Sequence, residues 1–354
     1  MRVGLSLLTL VPGIVGGSET YVRGLTAALG RVGENDYRVF LPTIAPDAAG
    51  GLPATTVTAY RAARSLPGRV GAMSLSALAP WPVRAQLGLG ELDVIHFPLS
   101  VMLPPVSRPA TVTSVLDIQH ELLPAFFSKA ELAYRRLAYG MTIRGSQRLI
   151  TISEHARGTL IERFHLDPDL VHAIHLGIDQ ERFTPAPRER GEFLLYPANR
   201  WPHKNHERLF AAFALVRRTR PELRLVLTGA LHEGKPVPEG VDVRGRVPFD
   251  ELVELYRTAG ALVFPSLYEG FGMPPLEAMA CGCPAAVSTG GSLPEVVGDA
   301  ARLFDPESVE AIAEAIEDVL ARPTEWTARG LERARLFTWD ACARAHDAVY
   351  ALLV

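Results

Sequence analysis

Short apolar runs alternate with segments of helical periodicity along most of this chain, which restricts it to a parallel α/β architecture. Strands covered on both faces by helices read as near-continuous apolar runs. Such runs occupy residues 2–7, 37–41, 93–97, 110–116, 148–152 and 171–175, with helical segments at 18–30, 129–143 and 154–164. A second series opens at Glu192-Phe-Leu-Leu-Tyr-Pro197 and continues through strand 224–227, helix 249–259, strand 261–264 and helix 275–281. A helix over 308–321 follows from Val309, Ile312, Ala313, Ile316, Val319 and Leu320, which recur at spacings of three and four. Between the series lies the polar, proline-marked Thr184-Pro-Ala-Pro-Arg-Glu-Arg-Gly191, which reads as a linker. At 354 residues the chain is too long for one typical core. The expected division is a first domain at 1–183, a linker at 184–191, a second domain at 192–335 and a last helical segment at 336–354.

Composition narrows the function classes. A hydrophobic content of 48%, a charged content of 21% and a net charge of −3 suit a soluble enzyme and give no reason to expect nucleic acid as partner. No stretch approaches the ~20 apolar residues of a spanning helix. Residues 1–11 carry one basic residue and no small-x-small cleavage site, so they read as a first strand rather than a secretory signal. Cys281, Cys283 and Cys342 are too few for a disulfide framework, which points to a reducing, cytoplasmic compartment. Cys281-Gly-Cys283 lacks a second ligand pair and reads as buried thiols. Asp167-Pro-Asp169 reads as a turn, and no metal is expected. Residues 51–90 carry Arg61, Arg64, Arg69 and Arg84 with no acidic residue, alongside Met73, Leu75, Leu78, Trp81 and Val83. This is either a peripheral contact with the inner face of an anionic membrane or a lipid-linked acceptor, or a loop and helix with a solvated basic face.

The most informative local pattern is Phe264-Pro-Ser-Leu-Tyr-Glu-Gly-Phe-Gly-Met-Pro-Pro-Leu-Glu277, which joins a strand to a helix. Helix N-termini present unpaired N–H groups that suit phosphate or hydroxyl oxygens. Gly270 and Gly272 allow close backbone approach, and Pro274 and Pro275 suit the first helical turn. Amides at the turn and a carboxylate at each end fit a nucleotide sugar.

This stretch resembles the paired-glutamate signature of the family 4 retaining glycosyltransferases, which have the GT-B fold. The resemblance implies two Rossmann-like domains facing a central cleft, with the last helix, 339–353 here, crossing back to the N-terminal domain. It further implies that Glu269 faces the transferred sugar and Glu277 the ribose, with Gly270, Phe271, Gly272 and Met273 between them on the donor. After the first strand, Gly16 and Gly17 form a turn that matches the family's glycine loop near the donor's distal phosphate, with Ser18 placed to cap the following helix. In Pro197-Ala-Asn-Arg-Trp-Pro-His-Lys-Asn-His206, Lys204 matches the family lysine that neutralises the diphosphate. The family arginine falls on Asn199, with Arg200 one position later. Either Arg200 takes the role through a shifted loop, or Asn199 supplies a hydrogen bond and Lys204 carries most of the charge. Val115-Leu-Asp-Ile-Gln-His-Glu121 resembles the family's His-Asp-Leu-x-His segment, with Leu116 in place of the first histidine and Asp117 and His120 retained. Ser153 in Thr151-Ile-Ser-Glu-His155 stands at the family's strand-end serine turn, where helix capping is the competing account.

The implied activity is metal-independent, retaining transfer of a hexose from a nucleotide diphosphate sugar to a hydroxyl acceptor in glycan or glycoconjugate biosynthesis, with no cofactor. Lys204, Arg200 and backbone amides would stabilise the departing diphosphate. The wording of the motifs looks like bacterial mannosyltransferases of surface-polysaccharide pathways. GDP-mannose therefore stands first as donor and UDP-sugars remain open; the acceptor is a lipid-linked glycan, a saccharide or a small molecule. Two alternatives are a GT-B sugar-nucleotide epimerase and a catalytically weak sugar-nucleotide-binding subunit.

Overall fold

The computed structural model describes residues 1–14, 16–230 and 234–353. The chain divides into two compact units, Met1–Gly177 with Trp339–Val354, and Ile178–Thr338. The strands of the first are β1 (Arg2–Ser6), β2 (Asp36–Leu41), β3 (Ala54–Thr56), β4 (Val94–Phe97), β5 (Ala110–Ser114), β6 (Arg148–Thr151) and β7 (Val171–Ala173). All pair in parallel in the order β3-β2-β1-β4-β5-β6-β7. Its helices are α1 (Gly17–Val32), α2 (Leu66–Leu78), α3 (Trp81–Leu87), α4 (Gln119–Leu122), α5 (Lys129–Gly145) and α6 (Glu154–Phe164). The second unit contains β8 (Phe193–Pro197), β9 (Arg224–Thr228), β10 (Val241–Gly245), β11 (Ala261–Phe264), β12 (Ala285–Ser288) and β13 (Arg302–Phe304). These are also parallel, in the order β10-β9-β8-β11-β12-β13. Its helices are α7 (His206–Val216), α8 (Phe249–Thr258), α9 (Met273–Ala280), α10 (Leu293–Val297), α11 (Val309–Ala321) and α12 (Pro323–Ala334); α13 (Trp339–Ala351) belongs to the first unit.

Both sheets wind outward in two directions from their first strand, so strand order reverses between β1 and β4 and again between β8 and β11. In open parallel sheets ligands bind beyond the carboxyl ends of the strands at such a reversal. Central strands are fully covered: Val3 and Leu5 of β1 and all four residues of β11 are shielded from solvent, as their apolar runs require.

Several boundaries move. Residues 184–191 belong to the second unit instead of forming a free linker. Arg257 donates to the Thr184 carbonyl and hydroxyl at 2.8 and 2.7 Å, and the Arg190 guanidinium bonds the Ala259 and Gly282 carbonyls. Arg190, one of the charged residues that made this stretch look solvated, is one of its anchors. The unit boundary instead falls between Gly177 and Ile178. Ser18 does not cap α1; Gly16 holds the cap position with φ of 53°, and Ser18 lies inside the first turn.

Helix α13 packs on α1, where a Cβ at Gly24 would overlap the Trp339 indole. Buried polar groups fasten it further. His346 Nδ1 sits 2.8 Å from the Cys342 carbonyl, which can only accept, so His346 Nε2 must accept from the Tyr21 hydroxyl at 2.7 Å. Tyr21 then accepts from Ser114 (2.7 Å), Ser114 from His96 Nε2 (2.8 Å), and His96 Nδ1 from the Tyr350 hydroxyl (2.8 Å). Each proton in this relay has one available position, and both imidazoles are neutral. Burial pushes His346 down to about 4 and His96 well below its ordinary value.

The relay therefore resists protonation. An unfolded chain binds a proton at His346 from about pH 6.5 downward, while the folded one does not until about pH 4, and His96 is shifted in the same direction. Stability from this source is complete above pH 6.5 and falls as pH drops toward 4. Urea unfolding followed between pH 7 and 5 is expected to show that loss, and His346→Gln is expected to flatten it.

Candidate functional site

The second unit builds its site where β8 and β11 lie side by side. The loop after β8 carries Asn199, Arg200 and Lys204; the loop after β11 carries Glu269, Gly270, Phe271 and Gly272, and Met273 opens α9. Their backbones are stitched together. Leu267 N–H donates to the His203 carbonyl at 2.8 Å, and Asn205 Nδ2 donates to the Pro265 and Pro306 carbonyls at 3.0 and 2.8 Å. Asn205 itself adopts φ of 60°, which turns the chain into α7. The Tyr196 hydroxyl donates to the Lys204 carbonyl at 2.6 Å.

This framework brings the Lys204 ammonium to 2.5 Å from Glu269 Oε1, with only 14% and 15% of the two side chains exposed. The ammonium also lies 5.4 Å from the centre of the Phe264 ring. A cation and a carboxylate, sheltered from water at a strand-order reversal, can engage an anion and a set of hydroxyls together.

The neighbouring positions separate by role. Asn199 Oδ1 accepts from Ala230 N–H at 2.6 Å, tying the loop after β8 to the loop after β9. Arg200 points its guanidinium to Glu207 (2.7 Å) and the Pro236 carbonyl (3.2 Å), so Lys204 and Arg200 have different partners. Gly270 and Met273 are half-buried on either side of the buried Phe271 and Gly272. Gly272 has φ of 116°, and a Cβ there would overlap Leu293. Because Pro274 and Pro275 have no N–H, the first turn of α9 offers donors only at Met273 and Leu276. Glu277, one turn further, accepts from the Tyr256 hydroxyl at 2.8 Å. Burial pushes its carboxyl up to about 7, and the Tyr256 bond opposes that rise.

In the first unit, Gly16 and Gly17 form the exposed start of α1, and Glu19 Oε2 accepts from Gly13 N–H at 2.7 Å beside them. Asp117 Oδ1 accepts from Gln119 N–H at 3.0 Å, closing the turn into α4. His120 is fully buried, its ring 4.6 Å from that of Tyr139, and neither ring nitrogen has a hydrogen-bond partner among the described residues. Burial, reinforced by Arg135, lowers it to about 4, so it is neutral at pH 7. Ser153 caps α6 by accepting from Ala156 N–H at 3.0 Å. Asp167 Oδ1 accepts from Asp169 N–H at 3.0 Å, a turn. All three cysteines are free and buried.

Sequence reasoning overlooked Gly290-Gly291-Ser292, the turn after β12. Ser292 donates through N–H (3.1 Å) and Oγ (3.0 Å) to the Glu269 carbonyl and through Oγ (2.8 Å) to that of Phe271. Gly291 has φ of 65°, and a Cβ there would overlap the Glu269 carbonyl. The adjoining glycines after a strand were the available signal. Ser292→Ala removes the hydroxyl from two buried carbonyls, with an expected loss of about 1–3 kcal/mol of stability. Gly291→Ala adds backbone strain to the overlap and is expected to lower the melting temperature further, both checked by thermal unfolding.

Two doubly wound parallel units, one with a cation–carboxylate pair at its strand-order reversal, define the class of α/β proteins that handle nucleotide-type ligands. The chain matches the description "Glycosyltransferase Family 4" over residues 15–182 and "Glycosyl transferases group 1" over residues 177–335. It is 32% identical over 269 residues to the O-antigen chain mannosyltransferase B of Escherichia coli, covering 68% of this chain and 70% of that one. It is 27% identical over 322 residues to the MMP alpha-(1->4)-mannosyltransferase of Mycolicibacterium hassiacum, covering 85% and 75%. Among solved structures, sucrose-phosphate synthase from Thermosynechococcus elongatus superposes with a TM-score of 0.78 at 20% identity, over 100% of this chain and 99% of that one. Anabaena HepE in complex with UDP-glucose gives 0.70 at 17%, over 100% of both. The chain belongs to the family 4 glycosyltransferases and has the GT-B fold; it is a glycosyltransferase of glycan biosynthesis that uses a nucleotide sugar.

Proposed function

We propose that the protein transfers mannose from GDP-mannose to a hydroxyl of a glycan acceptor, with retention of configuration and without a metal ion. The Lys204–Glu269 pair carries this reading. As the glycosidic bond breaks, negative charge grows on the diphosphate and positive charge on the sugar carbon. Lys204 meets the first, together with the N–H of Met273; Glu269 holds sugar hydroxyls and offsets the second. Glu269 serves here as an electrostatic partner, and the departing phosphate takes the acceptor proton on the same face. Glu277 accepts from the ribose hydroxyls. Asn199 acts by shaping the loop, Arg200 as a second cation released from the exposed Glu207, and Gly270, Phe271 and Gly272 by bringing backbone close to the donor. In the first unit, Gly16 and Gly17 offer backbone amides to the donor, His120 is the candidate to hydrogen-bond the donor's sugar or phosphate, and Asp117 and Ser153 are the acceptor-side candidates.

Mannose is favoured by the mannosyltransferases of E. coli and M. hassiacum among the chain's relatives. UDP-sugars are the second reading, supported by the UDP-glucose in Anabaena HepE. The test is nucleotide release from GDP-mannose, UDP-glucose and UDP-N-acetylglucosamine, each with EDTA or magnesium and a panel of mannosides. Release from GDP-mannose that survives EDTA is expected. Release from a UDP-sugar alone replaces the donor, and release that needs magnesium overturns metal independence.

A further inference from the structure

The loop after β8 holds an aromatic side chain that packing within the unit does not explain. Trp201, shortly before Lys204, is 45% exposed, whereas Trp326 and Trp339 are buried. Its backbone is fixed on both sides. Trp201 N–H donates to the Asn199 carbonyl at 2.8 Å, and the Trp201 carbonyl accepts from Lys204 N–H at 3.0 Å. Its one ring contact among the described residues is with His203, at 5.7 Å between ring centres and a tilt of 40°. An indole left half in water forgoes apolar burial. Held by a rigid turn, it can take up a ligand with little further ordering.

His203 is the second half of the arrangement. It is buried, its carbonyl accepts from Leu267 N–H at 2.8 Å, and both Lys204 and Glu269 act electrostatically on its imidazole. Among the described residues neither of its ring nitrogens bonds to protein, and neither is sealed from solvent as those of His120 are. Burial, reinforced by Lys204, lowers it to about 4. At pH 7 it is therefore neutral, with one N–H to donate and one lone pair to accept. A departing phosphate calls for a cation, which Lys204 supplies. An aromatic face beside an uncharged donor and acceptor matches a pyranose, which has a C–H face and a rim of hydroxyls. Glu269 is matched to the sugar of the donor, which leaves a second sugar for this pair.

We infer that Trp201 and His203 form a subsite on the second unit for a sugar ring of the acceptor, the indole stacking on its C–H face and the imidazole bonding a hydroxyl. The inference rests on the transferase reading and holds whichever nucleotide the donor carries.

The test is saturation-transfer NMR on the whole chain loaded with GDP or UDP, with methyl mannoside, methyl glucoside and methyl N-acetylglucosaminide as probes. Transfer to the ring protons of at least one probe is expected. Trp201→Ala is expected to weaken its binding about fivefold and Trp201→Phe to retain most of it, with nucleotide affinity and melting temperature unchanged. His203→Ala is expected to cost about fivefold as well, and His203→Gln to restore part of the loss. Absence of transfer to all three probes in the unaltered protein would overturn the inference, as would unchanged probe affinity in either alanine variant. So would a fall in nucleotide affinity in Trp201→Ala with probe affinity kept, which would give the indole to the nucleobase. Nucleotide release from a UDP-sugar alone replaces the donor of the proposed function and leaves these readouts in place.

Discussion

Lys204→Ala is expected to lower turnover by about two to three orders of magnitude, the usual consequence of removing a preorganised group that meets growing negative charge. The effect belongs in kcat more than in KM, because the diphosphate gains charge as the sugar leaves. The same substitution strands Glu269, whose carboxylate is mostly sheltered and has Lys204 at 2.5 Å. A lower melting temperature should therefore accompany the loss. The two consequences are separable. Glu269→Gln beside Lys204→Ala removes the stranded charge and should restore part of the stability without restoring turnover. Lys204→Arg keeps the cation and should retain more activity than Lys204→Ala. Wild-type turnover in folded Lys204→Ala would mean that the pair is only structural. Steady-state nucleotide release and thermal melts on the four proteins decide between these outcomes.

The architecture was legible because its signal is redundant. Central strands such as Ala261–Phe264 are buried on both faces, so their apolar runs stand out without partners. Elements governed by partners were harder to read. Edge strand Val241–Gly245 alternates Val, Asp, Val and Arg, and β13 spans only Arg302–Phe304. Helix α2 carries Pro, Gly and Ser and shows apolar residues to solvent, so its periodicity was weak. In the site, Lys204 and Glu269 could be nominated from local patterns, but their pairing depends on β8 and β11 being neighbours, which no local spacing encodes. Ser292 was hidden for the same reason: its function is to hold carbonyls 21 and 23 residues away. The ambiguity at Asn199 and Arg200 could not be resolved from spacing, since one closes a turn-to-turn hydrogen bond and the other depends on Glu207.

Nucleotide binding is expected to weaken as pH falls below about 7, through Glu277. Burial raises this carboxyl to about 7, so near neutrality the free protein holds a mixture of acid and carboxylate. Only the carboxylate can accept from two ribose hydroxyls at once; the acid keeps one oxygen as a donor. Each pH unit below the shifted value should therefore cost about tenfold in apparent affinity, with a plateau above it. The stability linkage has the opposite sign. A carboxyl raised from 4.5 to about 7 binds its proton more tightly in the folded chain, so its contribution to stability grows as pH falls through 7 and is complete below 4.5. Weaker binding at pH 6 thus cannot be ascribed to unfolding at this residue. Binding near pH 7 should also release a fraction of a proton, measurable by calorimetry in buffers of different ionisation enthalpy. Glu277→Gln should weaken GDP binding by about 10- to 150-fold, the range for hydrogen bonds to a charged group, and should remove both the pH slope and the proton release. A variant with unchanged affinity would assign the ribose to another group. Unchanged pH dependence in the variant would point to a different titrating residue, for which His203, lowered by burial to about 4, titrates too low to serve.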